Sequence, residues 1–282
     1  LTVDTYSIGF LKDSHPVAQD SEAIETDFGP YTPLEFLVTL PETLQSDSTP
    51  AVLRAIADWQ DNMASTATVG WTQSYVDGLR RLAQISADGS TQAYRLPSDD
   101  TLLMQLMKRY DPSGDPGLPQ LISDDQSVLR VTAGIPMGSA RAFEAQITEL
   151  RALADFPEGT ALDVTGYLPL YVAMMEAVVD SQISSFALAF CIIFVMLALL
   201  FRSLSTAAFA VPANLLPVLV ILGVMGATGI ALDVATVTIS AIVLGLVVDD
   251  TTQFLYRYRH ELETASSVEE AVEKAIVGAG QA

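Results

Sequence analysis

Cysteine, histidine and basic residues are scarce in this chain, and each scarcity removes a class of function. A single cysteine, Cys191, among 282 residues excludes an intrachain disulfide. It lies inside a long apolar run, and His15 and His260 stand alone, so no spacing suits a metal site and no cofactor is expected. Lys and Arg number 14 against 34 Asp and Glu, a formal net charge of −20. A surface of that sign repels phosphate backbones and argues against nucleic acid as a partner. No Walker A loop, Gly-x-Ser-x-Gly or His-Glu-x-x-His occurs, which argues against an ATP-driven pump or a hydrolase. The chain starts at Leu1 with no signal peptide or initiator Met, and is expected to be a piece of something longer.

Charge is also missing locally. From Ser181 to Tyr256 the only charged side chains are Arg202, Asp233, Asp249 and Asp250. That shift sets an expected boundary near Asp180, between an acidic water-soluble domain over 1–180 and membrane-spanning helices over 181–260. A bilayer core takes about 20 apolar helical residues. Three runs meet the requirement, at about 181–202, 207–229 and 234–256. Pro212 and Pro217 fall inside the second, where membrane helices tolerate them as kinks. Arg202 follows the first run and Arg257 and Arg259 follow the third, so the positive-inside rule places those ends in the cytoplasm. Residues 1–180 are then expected outside the cytoplasm, and 261–282 form a cytoplasmic amphipathic connecting helix. In that helix Val268, Ala271, Val272, Ala275 and Ile276 recur at helical spacing.

The soluble part predicts an α+β domain, with helices on one face of a small sheet. Strands are expected at 34–40, 128–135 and 162–165, and a fourth near Ala93–Leu96. Helical patterns cover Ala51–Met63, Thr72–Ile85, Thr101–Arg109 and Ala140–Leu153. Residues 111–119 compose a loop. From Tyr167 to Asp180 the pattern is helical again and is expected to run into the first span.

The third apolar run carries Asp249 and Asp250. An ionised carboxylate inside a bilayer costs several kcal/mol, so such a residue is expected to face protein and to have a function. On a helix, Thr238, Ala241, Ile242, Gly245, Asp249, Thr252, Gln253 and Tyr256 share a face of small and polar groups suited to helix–helix contact in lipid. Asp250 lies about 100° from Asp249, off that line. A carboxylate buried beside another holds its proton more tightly, which is the chemistry of a proton relay.

The run Gly245-Leu246-Val247-Val248-Asp249-Asp250 resembles the GxxxD-D motif of RND-superfamily transporters. Continued to Arg259, it is similar to the branch of MMPL lipid exporters and Patched-like proteins. Asn214-Leu-Leu-Pro217, Tyr31-Thr-Pro-Leu-Glu35, Leu79-Arg-Arg-Leu82 and Tyr94-Arg-Leu-Pro97 resemble the same branch. The resemblance implies two pseudo-repeated halves, each with a helix, an extracytoplasmic porter domain and five further helices. This chain then corresponds to one porter domain and the three helices after it, assigned to the second half on Asp250. It implies that Asp249 and Asp250 are relay acids and that Gly245 packs against the missing half. Protons would be the coupling ion. The implied activity is proton-motive-force-driven export of hydrophobic or amphiphilic molecules, lipids above all, across the inner membrane, without covalent catalysis. A Patched-like sterol-sensing or lipid-binding receptor and a non-transporting accessory subunit are the alternatives.

Overall fold

In a computed structural model of the chain, residues 8–110, 121–230 and 233–279 are described. The loop expected at 111–119 lies outside the described residues. The chain forms two compact units, one running to Ala173 and the other from Met174 onward.

The first unit is mixed α and β. Its elements are α1 (Pro16–Phe28), β1 (Thr32–Thr39), α2 (Thr49–Ala64), β2 (Trp71–Ser74), α3 (Tyr75–Ser86), α4 (Asp100–Arg109), β3 (Val128–Ile135), α5 (Ala140–Ala152) and β4 (Ala161–Thr165). The strands make one sheet in the order β2-β3-β1-β4, every neighbouring pair antiparallel. The two strands expected at 34–40 and 128–135 are its centre, with Phe36 opposite Val131 and Val38 opposite Leu129. Along β1 the even residues Leu34, Phe36 and Val38 are fully buried and the odd ones are not, the period-two pattern of a sheet covered on one face.

Over that face lies Trp59 of α2, whose ring meets Phe36 edge-on at 5.0 Å and Phe156 at 5.5 Å. Its indole Nε1–H donates to the carbonyl of Leu150, in the last turn of α5. Val52, Leu53, Ile56 and Met63 from α2, Val76 and Leu79 from α3, and Phe143 from α5 complete a buried apolar core.

Two expectations about this unit are corrected. The helix predicted from Thr72 begins at Tyr75, because residues 71–74 pair with β3 as a short edge strand. Ser74 ends the strand and caps the helix: its hydroxyl accepts from Val76 N–H, and its own N–H donates to Asp77. The strand guessed near Ala93–Leu96 is absent; Thr91–Ala93 is a 3-10 turn. Tyr94 follows it and donates its hydroxyl to Asp77, while Arg80 lies over its ring at 5.9 Å. Glycine is required at Gly134 in β3, since any Cβ there would strike the Trp71 indole on the neighbouring strand.

Burial, and then the negative charge of Asp77, push the Tyr94 phenol up to about 12. The folded chain therefore holds that proton through a range in which the unfolded chain, near 10, has released it. Stability falls as pH rises through this window, from about 10 to about 12. Spectrophotometric titration of the folded protein should show a tyrosyl step near the upper limit that Tyr94→Phe removes. An unchanged titration in Tyr94→Phe would contradict the assignment.

The second unit is helical. One uninterrupted helix, α6 (Tyr167–Phe201), includes the division between the units, as the pattern before Asp180 predicts. At 35 residues it is about 52 Å long, more than a bilayer core of about 30 Å needs. The others are α7 (Leu204–Thr228), α8 (Val234–Leu262) and α9 (Val268–Ala279). Among the described residues α6, α7 and α8 are the helices long and apolar enough to cross a membrane.

The turns between them follow from their residues. Arg202 takes the left-handed conformation (φ 48°) at the end of α6, and Ser203 caps α7 through Thr206 N–H. Gly229 (φ 74°) ends α7, and Asp233 caps α8 in a reciprocal pair with Thr236. The Arg259 guanidinium on α8 donates to the carbonyl of Phe201, one of the orphan acceptors at the end of α6, and lies over its ring. On α9, Ala271 and Ala275 are fully buried, and a Cβ at Gly278 would strike Arg257. Small side chains let α9 approach α8 closely. The expected apolar face of α9 is thereby split, since Val268 and Ile276 remain open.

Candidate functional site

One stripe of α8 is packed: Val237, Ser240, Leu244 and Val248 are buried, and partly buried Thr251 and Leu255 continue it at spacings of three and four. Leu244 and Val248 cluster with Val218 of α7, and Phe186, Phe190 and Ile193 of α6 pack against them. Leu255 packs against a second cluster, Leu197, Phe201, Ala207 and Ala210.

The expected polar face is this stripe moved on by one residue. Thr238, Ala241, Gly245, Asp249, Thr252 and Tyr256 each follow a packed residue, so they point about 100° away from it. Asp250, two residues after Val248, is turned about 200° from it. Asp249 and Asp250 are both exposed on this unit. The chain's own helices cover a different stripe, so any protein that the carboxylate pair faces lies outside this unit. A Cβ built on Gly245 meets nothing within 4 Å, so no neighbour in this chain needs a glycine there. Of the predicted group, Gln253 and Asp249 are brought together: Gln253 Nε2–H donates to Asp249 Oδ2 at 3.1 Å. Thr252 turns its hydroxyl back to the Val248 carbonyl at 2.7 Å. Pro212 and Pro217 sit inside α7, whose backbone lacks the N–H at both positions.

A polar pair that sequence reasoning left without a role lies beside the acids. Asn214 of α7 is 1% exposed. Its Oδ1 accepts from Thr251 Oγ1 at 3.0 Å, and its Nδ2–H donates to the Ala210 carbonyl at 2.9 Å. An amide buried in an otherwise apolar helix was the available signal; its partner was not readable. Among the described residues no group of His, Cys, Asp and Glu could hold a metal ion.

The MMPL family profile matches residues 10–282. The chain belongs to the MMPL family. A protein of Methanocaldococcus jannaschii named "Putative membrane protein MJ1562" is 24% identical over 284 aligned positions, which cover 96% of this chain and 69% of that relative. Membership of the MMPL family, together with three helices able to cross a membrane, points to a multi-pass membrane protein with a transporter-like role.

Proposed function

We propose that this MMPL-family chain is the porter domain and following three spans of an exporter driven by the proton motive force. Its substrates are hydrophobic or amphiphilic molecules, lipids being the favoured class. The observation that carries the proposal is the pair of carboxylates on an apolar helix, on a face that its own unit leaves open. A permanently ionised pair there would cost several kcal/mol, whereas a pair that binds and releases protons beside a packing partner has a use for its position. The missing half of the transporter would supply that partner, and Gly245 would let it approach closely. Each charge that crosses adds about 2.3 kcal/mol per 100 mV of membrane potential. No step calls for covalent catalysis.

The same proposal sets the orientation. With Arg202, Arg257 and Arg259 cytoplasmic, the α+β unit is extracytoplasmic and the membrane is the inner one. On a Cys191→Ala background, Asp47→Cys should react with a membrane-impermeant maleimide in intact cells. Glu263→Cys should react only after permeabilisation. Both positions are exposed, so access rather than burial decides the result. The opposite labelling pattern would invert the topology. The proposed energy coupling is tested by export of a labelled lipid from vesicles with and without an uncoupler, and export indifferent to the uncoupler would refute it.

A further inference from the structure

We propose that Asn214 and Thr251 are positioning residues that lock the rotation of α8 at the turn carrying Asp249 and Asp250. The inference rests on the relay reading of those two acids. The α7–α8 contact is otherwise apolar, made by Val218 with Leu244 and Val248 and by Ala207 and Ala210 with Leu255, and apolar contacts have no preferred direction. Such a seam tolerates small rotations. A rotation of one residue, about 100°, would carry the carboxylate face into the seam or out toward lipid. The bond from Thr251 Oγ1 to Asn214 Oδ1 is directional and is the described polar link between these two helices.

Asn214 is itself held from behind, by its bond to the Ala210 carbonyl, so it presents its Oδ1 in a fixed place. Turning α8 would break the link and leave a buried amide oxygen without a donor where water is scarce. Buried asparagines set register in apolar helix seams by this mechanism. The link is also local. Thr251 follows Asp250 directly, so the backbone that carries both acids is the backbone being held.

Few other charges can act on the acids. Helix α7 has no titratable side chain; α6 has Tyr167, Tyr171, Glu176 and Asp180 before its apolar run and the Cys191 thiol within it. Helix α9 carries Glu269, Glu270, Glu273 and Lys274, and it meets α8 at the Arg257 end. On α8 itself the charged or titratable neighbours after the pair are Tyr256, Arg257, Tyr258, Arg259, His260 and Glu261. Loss of the lock would therefore change the proton affinity of the carboxylates through their orientation.

The test reads the carboxyls directly. The full-length protein in membranes is treated with dicyclohexylcarbodiimide, which modifies protonated carboxyls in apolar surroundings, and the adducts on Asp249 and Asp250 are quantified by mass spectrometry against pH. Asn214→Leu and Thr251→Val should each move the labelling midpoint by about half a pH unit or more, roughly threefold in proton affinity. They should also change the ratio of Asp249 to Asp250 adducts. The double variant should go no further than either single one, and Thr251→Ser, which keeps the hydroxyl, should behave as wild type. Unchanged midpoints and ratios in both single variants would overturn the lock. So would pH-independent labelling of the wild type, or loss of inserted protein in both variants, which would make the pair a stability element only. The relay reading fails by a separate result, uncoupler-insensitive export by the wild type, and the labelling still decides the lock in that case.

Discussion

Under the proposed relay, Asp249→Asn in the full-length protein should lower lipid export by about a hundredfold or more, to the level left by an uncoupler, while the protein remains folded and inserted. Asn keeps nearly the shape of Asp and loses the titratable proton. On the unit seen here Asp249 is exposed, and its bond from Gln253 can be accepted equally by an amide oxygen. The packed stripe of Leu244 and Val248 lies a residue away on the helix and is not touched. In the proposed arrangement, where a further half of the transporter packs over Asp249, the substitution removes a desolvated charge, so stability should stay level or rise. Only the step that needs a change of protonation is lost.

Asp250→Asn should reduce export less, about tenfold, because Asp250 lies off the Gly245 face and among the described residues has no hydrogen-bond partner. The measurement is export of a labelled lipid from vesicles, with inserted protein quantified by immunoblot. Wild-type export by Asp249→Asn would end the relay reading. A receptor that merely binds lipid on this fold would behave in that way, since no proton has to move.

Much of the fold was legible because its strongest signals are local. The central strands alternate along their length, and the spans are long apolar runs bounded by Arg202, Asp233 and Arg257. The short strand β2 was not legible. Its four residues run straight into Tyr75, and the helical period that starts there absorbs them. Helix α1 was missed for another reason: none of its side chains is buried. A signal existed, since Pro16 opens the helix and Val17, Ile24 and Phe28 fall on one side of it.

At the candidate site the sequence located the acids and their face, which depend only on the helical period. It could not show that the packed stripe is the neighbouring one, because burial depends on which helices arrive and from where. The Asn214–Thr251 bond spans 37 residues and two helices, so neither residue's own surroundings in the sequence disclose it.

Trp59→Ala should destabilise the α+β unit by about 3–5 kcal/mol, a large part of the 5–15 kcal/mol that folds an ordinary domain. The side chain is 1% exposed and fills the space between β1, α2 and α5. Truncation leaves a cavity against Phe36 and Phe156 that backbone tied into a four-stranded sheet cannot close. It also leaves the Leu150 carbonyl without its indole donor in the last turn of α5, where the helix offers no partner of its own. Trp59→Phe separates the two losses: it keeps much of the volume and drops only the donor, so its cost should lie near 1–3 kcal/mol, the penalty for an unsatisfied buried acceptor. Thermal unfolding followed by tryptophan fluorescence is complicated by the substitution itself, so limited proteolysis of the detergent-solubilised protein against temperature is the measurement of choice. Equal melting of wild type and Trp59→Ala would show that the contact between α2 and the sheet is not what holds this unit together.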